Sequence, residues 1–194
     1  GDLGSLDLSM NSCGRFEAGA IAGDARLRIN GSGDVTTGDI GGEAEFSVNG
    51  SGDILTGDIA GGASIGINGS GDIRSGDVGA DTRVDINGSG DVELGDIAGL
   101  DVDVSGSGDV EARSMHGAFS AAIAGSGDIA VHGGRAEPFE ARIMGSGDIS
   151  FSGTAVNVTV RESGGGDIEI DEIEGAIDWR RNGRTVLRSS GSTD

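Results

Sequence analysis

The chain has 194 residues, a formal net charge of −20 and an unusual composition, with 40 glycines, one proline, no tyrosine and one tryptophan. All 13 of its basic residues are arginine. Clustered cations bind nucleic acids and anionic membranes by neutralising their phosphates, so this charge balance argues against both as partners. Ile and Val recur throughout, which is not typical of a disordered glycine-rich chain. We therefore expect the glycines to lie at turns.

Cysteine content and hydropathy say little about the compartment. Cys13 is the single cysteine, so no disulfide can form within the chain. No apolar run is long enough to span a bilayer, and we expect no membrane insertion by this segment. Because the chain opens at Gly1 rather than Met, we expect that an export signal or lipid anchor has been removed.

A tetrapeptide, Gly-Ser-Gly-Asp, recurs along the chain and sets its period. Its successive copies are 19, 19, 19, 18, 19 and 20 residues apart, with the first glycine at Gly31, Gly50, Gly69, Gly88, Gly106, Gly125 and Gly145. Degenerate copies stand one step further out on each side, at 12–15 and 164–167. About nine copies of one unit indicate a repeat architecture.

Apolar residues occupy fixed positions relative to this turn. Two columns lie two and four residues before it and begin at Ile29 and Leu27, and a third follows the aspartate directly: Val35, Ile54, Ile73, Val92, Val110, Ile129, Ile149 and Ile168. A spacing of two places the first two columns on one face of a strand. A single unit cannot bury such a face, whereas stacked units can.

These columns predict an all-β, single-domain parallel β-helix, or β-solenoid, of about nine 19-residue coils over residues 9–173. The glycine density excludes helix. We expect right-handed coiling because parallel crossovers favour that hand.

Residues 174–188 are predicted to form a C-terminal cap, and 189–194 a flexible tail. The pair Asn182-Gly183 follows Gly164 at the usual spacing and is read as one more turn, which places Trp179 in the inward column of Leu27. The bulky ring would cover the last open coil. Nearby charges would prevent end-to-end stacking of solenoids; these are Arg180, Arg181, Arg184 and Arg188. A basic binding site for an anionic ligand is the alternative, disfavoured because terminal coils need polar caps.

Three polar columns accompany the apolar ones. Asparagines precede the turn in five successive coils and are predicted to bond turn amides and each other inside a corner: Asn11, Asn30, Asn49, Asn68 and Asn87. The second column is the turn aspartate, and it includes Asp167 in the last copy. The third stands five residues further on, at Asp39, Asp58, Asp77 and Asp96.

Carboxylates stacked ~4.8 Å apart repel by about 1 kcal/mol per neighbouring pair in water, so some interaction must offset this. In the preferred hypothesis each turn aspartate accepts backbone N–H groups of its own turn, and no cofactor is needed. Alternatively, consecutive coils hold Ca²⁺ through Asp34, Asp53, Asp72, Asp91, Asp109, Asp128 and Asp148. The repeat lacks one residue of the Ca²⁺-binding nonapeptide Gly-Gly-x-Gly-x-Asp-x-apolar-x, which disfavours this alternative.

No catalytic constellation is visible in the sequence. Polysaccharide-cleaving β-helices need a cleft, usually built by loops inserted between coils, but here the coil length varies by only one residue. His116 and His132 stand at different offsets from their turns, so we expect two exposed turn residues rather than a metal pair. The chain is predicted not to be an enzyme.

The repeated turn with its apolar flanks, as in Val48-Asn49-Gly50-Ser51-Gly52-Asp53-Ile54, resembles the GIN domain family, described as head domains of autotransporter adhesins. The likeness extends from about Ser9 to Ile173. It implies an exported bacterial domain with a parallel β-helix fold, located in the periplasm or at the cell surface, and it brings no catalytic residues.

We therefore expect a non-enzymatic solenoid scaffold that binds an unknown surface ligand, either glycan or protein. A carbohydrate-active or Ca²⁺-dependent binding module on a β-helix is the alternative.

Overall fold

The computed structural model describes residues 3–189, and every regular element in them is a β-strand. The strands are β1 (Leu6–Met10), β2 (Arg15–Glu17), β3 (Ala25–Gly31), β4 (Asp34–Thr36), β5 (Ala44–Gly50), β6 (Ile54–Leu55), β7 (Ala63–Gly69), β8 (Ile73–Arg74), β9 (Thr82–Gly88), β10 (Val92–Ile97), β11 (Leu100–Gly106), β12 (Val110–Gly125), β13 (Ile129–Val131), β14 (Gly134–Gly145), β15 (Ile149–Gly164), β16 (Ile168–Arg181) and β17 (Arg184–Ser189).

Strands one coil apart pair in parallel, and the pairing step equals the sequence repeat. In β3, β5, β7 and β9 the same column positions pair in succession, as in Leu27 with Phe46 and Phe46 with Ile65. The short strands β4, β6 and β8 form a second stack, and single bridges such as Ile40 with Ile59 form a third. The predicted parallel β-solenoid of about nine coils is confirmed.

The glycines of the repeated turn are required by two separate constraints. The first glycine adopts a positive φ in each copy, for example +144° at Gly69. A Cβ there would lie 2.0 Å from the carbonyl oxygen of Gly50 in the preceding coil, and a Cβ at Gly71 would lie 2.1 Å from that of Gly52. Ser70 between them is exposed. In the Gly-Ser-Gly-Asp motif, both glycines are therefore in close contact with the backbone of the preceding coil, and the serine between them is free to vary.

The predicted apolar columns form the core. Ile29, Leu27 and Val35 and their equivalents in the following coils are nearly all buried. The column that begins at Thr37 also points inward: Thr37 and Thr56 are buried, and each hydroxyl donates to the carbonyl of the next glycine, at 3.1 and 3.3 Å. Further along this column the residues become apolar and include Phe151 and Ile170.

One inward column was not anticipated, and it changes character along the rod. It reads Ala25, Ala44, Ala63, Thr82, Leu100, Phe119, Phe139, Val158 and Ile177. Phe119 and Phe139 stack with ring centroids 4.6 Å apart, and Phe151 lies 5.6 Å from Phe139. The C-terminal half is therefore built around an aromatic cluster that the N-terminal half lacks.

The last coil ends in a hairpin, and the interpretation of Asn182-Gly183 as one more solenoid turn is wrong. Both residues have positive φ, 50° and 75°, and β17 returns antiparallel to β16. Paired positive φ values are typical of a two-residue hairpin turn, which Asn-Gly favours. The placement of Trp179 is confirmed, because it pairs with Val160 at the end of the predicted column.

Beside Trp179, at the end of β15, lies a buried carboxylate. Glu162 takes the place of the apolar residue that Ile143 supplies one coil earlier, and its side chain is only 2% exposed. It accepts from Trp179 Nε1 at 3.1 Å and from the Arg181 guanidinium. A buried carboxylate needs such partners, so these three side chains seal the C-terminal end of the core.

The predicted flexible tail at 189–194 lies outside the described residues, apart from Ser189, which ends β17. Over the part of the chain that the structure describes, no helix has the length and hydropathy to cross a membrane.

Candidate functional site

The turn aspartates form a continuous ladder of hydrogen bonds along the rod. Each Oδ1 accepts the backbone N–H of the aspartate in the following coil, over distances of 2.8–3.5 Å, in the pairs Asp34–Asp53, Asp53–Asp72, Asp72–Asp91, Asp91–Asp109, Asp109–Asp128, Asp128–Asp148 and Asp148–Asp167. The expectation that each carboxylate bonds its own turn is therefore wrong. Successive turns stack so closely that the nearest free N–H group belongs to the next coil.

Repulsion along this ladder is offset by its geometry. Each carboxylate faces an N–H dipole, and hydrogen bonds to a charged acceptor are among the stronger ones. The two ends are also paired with cations, since Arg15 lies 3.5 Å from Asp34 and Arg181 lies 2.6 Å from Asp167. The ladder therefore connects coils through hydrogen bonds, and an arginine of the chain faces each of its ends.

A second ladder follows the same rule on another edge. Oδ1 of Asp39, Asp58 and Asp77 accepts the N–H of the next aspartate at 3.1, 2.9 and 2.9 Å. The glycine before each donating N–H group leaves room for the carboxylate, because a Cβ at Gly76 would lie 2.0 Å from Asp58 Oδ1. Asp96 ends the ladder and accepts from Ser114 Oγ at 2.8 Å.

An arginine closes this second ladder. Arg113 Nε donates to Asp96 at 2.8 Å, and its Nη2 reaches Asp77 one coil further back. Hydrogen bonds from Arg113 and then Ser114 hold the pKa of Asp96 below its usual value, and Asp96 in turn raises the pKa of Arg113. The side chain thus neutralises two successive rungs.

A shallow groove of about 620 Å³ runs beside the second ladder. One rim is the aspartate row, and the floor is made of small and aliphatic residues, namely Ile21, Ile40, Gly41, Ile59, Ala60, Val78, Gly79, Ile97 and Ala98. His116 lies at its C-terminal end. The groove follows the repeat and lacks a distinct set of reactive groups at any one coil.

The pH dependence of stability should reflect the ion pair between Asp96 and Arg113. A carboxyl whose folded pKa is depressed stabilises the fold above its unfolded pKa, near 3.9, and this stabilisation is lost as the pH falls through the lower folded value. We expect Arg113→Gln to raise the pKa of Asp96 and to flatten the stability profile below about pH 4. An NMR titration of the Asp96 carboxyl carbon measures the shift.

The matched control for this titration is Arg74→Gln. It removes an arginine that forms an ion pair with Glu93, at an N···O distance of 2.9 Å, on a different edge of the solenoid from Asp96. It should leave the Asp96 titration unchanged. An Asp96 pKa that does not respond to Arg113→Gln would contradict the pairing.

The asparagine ladder lies outside the solenoid rather than inside a corner. Asn30, Asn49, Asn68 and Asn87 are exposed, because the preceding residue of each strand points inward and side chains alternate. Asn30 donates to Asn11 at 2.9 Å and Asn49 donates to Asn30 at 3.2 Å. These bonds join neighbouring asparagines as predicted, but on the surface rather than in a corner, and among the described residues they do not extend to Asn68 or Asn87.

The histidines and the cysteine do not assemble a reactive centre. His116 pairs in register with Arg135, while His132 Nε2 lies 2.6 Å from Glu111 Oε1 on another face. Cys13 is exposed at a turn. Within the described residues no group of three or more His, Cys, Asp or Glu side chains is placed to hold a metal ion. The Ca²⁺ alternative stays a prediction.

Comparison with known families identifies the family of this chain. The family model described as "Putative auto-transporter adhesin, head GIN domain" matches residues 2–115 and 111–176, which together make up most of the chain. No curated protein and no solved structure matches this chain.

Proposed function

The chain belongs to the GIN domain family of auto-transporter adhesin heads, and from this membership we propose that it is a non-catalytic binding domain exported to the bacterial envelope. Its ligand is a glycan or a protein of a neighbouring surface. Regular outer faces of the solenoid, rather than a pocket, make the contact.

The use of the carboxylates carries this proposal. Acid residues are the most abundant reactive groups of the chain, and two rows of them are already engaged by backbone N–H groups of the next coil. Catalysis by a carboxylate requires a pair with distinct environments at one place. Within each row a rung repeats the environment of the one before, and the rungs that differ, Asp34, Asp96 and Asp167, lie at the ends and pair with arginines. The arrangement suits a long rigid scaffold that presents repeated side chains.

The location is part of the same proposal. The description of the family supports a site in the periplasm or on the outer surface. A net charge of −20 also supports a well-solvated domain without nucleic acid as partner.

Binding by the intact domain tests this function. The full chain, coupled to beads, is incubated with an array of glycans and of extracellular matrix proteins, and the bound species are then recovered and checked for cleavage. We expect saturable binding of at least one ligand, which is released unchanged. A bound ligand that is cleaved, or a domain that binds nothing on either array, would contradict the proposal. Beads that carry an unfolded chain control for charge alone.

A further inference from the structure

Three arginines stack on one outer face near the C-terminal end of the rod. The register pairs Arg142 of β14 with Arg161 of β15, and Arg161 with Arg180 of β16. Arg142 and Arg161 are exposed, and Arg180 is partly buried. We call these residues the arginine column. They occupy three consecutive coils, and a coil rises by ~4.8 Å, so the column is about 10 Å long.

The arginine column lacks most of the acidic partners that arginines elsewhere in the chain have. Nine of the described arginine side chains form ion pairs with Asp or Glu: Arg15, Arg26, Arg28, Arg74, Arg83, Arg113, Arg135, Arg180 and Arg181. Within residues 3–189, Arg142 and Arg161 form none, in a chain with 33 acidic residues. These two adjacent guanidinium groups repel each other, and no ion pair among the described residues compensates them.

Toward the N-terminus, the same column contains a stacked pair of like charges that the fold compensates. Asp85 and Asp103 are stacked in adjacent coils. Arg83 compensates them, with its guanidinium 3.0 Å from Asp85 and 3.7 Å from Asp103. The fold therefore compensates this stacked pair of like charges. Among the described residues Arg142 and Arg161 have no such partner, whereas Arg180 pairs with Asp178.

On one side of the arginine column the surface is uncharged and partly apolar. The next outward position holds Ala124, Met144 and Ser163 in register, and the Met144 side chain is 49% exposed. On the other side Thr159 lies between Glu140 and Asp178. A ligand placed here would have cations along one edge and an apolar strip along the other.

We propose that the arginine column and Met144 bind a linear anionic oligosaccharide that carries carboxylates. A guanidinium binds a carboxylate through two parallel N–H···O bonds, and the apolar strip accommodates the C–H face of a sugar ring. This assignment rests on the proposed function as a binding domain and names the class of its ligand.

A short oligosaccharide fits this surface better than other polyanions do. The basic surface covers only about three coils, and acidic residues such as Asp103 continue the column toward the N-terminus. A long duplex or a flat anionic membrane would contact those acids too. At physiological ionic strength the Debye length is about 8 Å, so charges beyond the patch contribute little to a short ligand.

To test this proposal, the full chain is titrated with an oligomer of galacturonic acid in a calorimeter at physiological salt. A second titration uses the same oligomer after methyl-esterification, which removes its charge. We expect saturable binding of the charged oligomer only. Arg142→Gln with Arg161→Gln should weaken it by at least about tenfold, since each lost bond involves charged partners. The double variant should melt no lower than the native chain, because it relieves repulsion.

Arg26→Gln with Arg74→Gln is the matched control, because it removes the same charge from paired positions in the N-terminal half. It should keep the native affinity. The proposal is overturned if the native chain does not bind the charged oligomer, if both double variants lose affinity equally, or if phosphatidylglycerol vesicles are bound in preference. If the Arg142/Arg161 variant still binds its ligand on the bead array, this inference fails while the function as a binding domain stands.

Discussion

Replacing Gly69 by alanine is expected to destabilise the protein by at least about 3 kcal/mol, which is an unusually large effect for one added methyl group. Two penalties combine at this residue. Its φ of +144° is one that residues with a side chain rarely adopt. The new Cβ would also lie 2.0 Å from the Gly50 carbonyl oxygen, so the stacked turns would have to separate.

Ser70→Ala is the control for this substitution, since Ser70 is exposed and its own N–H still donates to Gly50 at 2.8 Å. Urea unfolding should place Ser70→Ala within about 0.5 kcal/mol of the native chain. Similar losses at both positions would mean that the turns are not in contact from coil to coil. Amide exchange should show the damage centred on the coils next to Gly69, as expected for a stack coupled between neighbours.

Phe139→Ala is the second substitution with a large expected effect, a loss of about 4 kcal/mol in the free energy of unfolding. The ring is fully buried and packs against the rings of Phe119 and Phe151, which also lie near each other, 6.0 Å apart. Its removal loses the transfer free energy, leaves a cavity and breaks a stacked pair. The stack of coils cannot close this cavity without disturbing the parallel register on both sides.

Leu55→Ala provides the comparison, because Leu55 is 50% exposed and lies outside the core. Its cost should be under about 1 kcal/mol. Thermal and urea unfolding of the two variants measure the difference. If Phe139→Ala were no more costly than Leu55→Ala, the aromatic cluster would not be part of the core.

The alignment of repeats predicted most of the architecture, and its errors have physical causes. Columns close to the Gly-Ser-Gly-Asp turn, such as those of Ile29 and Val35, were placed correctly because the turn fixes their direction. The column of Phe119 and Phe139 was missed because its first copies are alanines and a threonine, which give no apolar signal. A packed interior can exchange volume between columns from coil to coil, so one column need not stay large.

Local chemistry was harder to predict than the columns. A carboxylate can accept an N–H group from its own turn or from the next coil, and only the separation of the turns decides between them. Likewise, Asn182-Gly183 has the spacing of a solenoid turn and the composition of a hairpin turn, and the hairpin formed. The arginine column occupies one position of the repeat and can be read from the alignment. The lack of acidic partners at Arg142 and Arg161 can be recognised only when the ion pairs of the other arginines are known.

The measurement that tests the central claim most directly concerns the turn aspartates as hydrogen-bond acceptors between coils. Asp72 Oδ1 accepts the N–H of Asp91 at 3.1 Å. Asparagine keeps this acceptor and alanine removes it, so Asp72→Asn should retain most of the stability while Asp72→Ala loses about 1.5 kcal/mol. Both values, from urea unfolding, should be the same with and without millimolar Ca²⁺. If Ca²⁺ raised the stability of the native chain saturably and Asp72→Asn abolished that gain as fully as Asp72→Ala, the ladder would be a metal site, which would contradict its role in joining coils through hydrogen bonds alone.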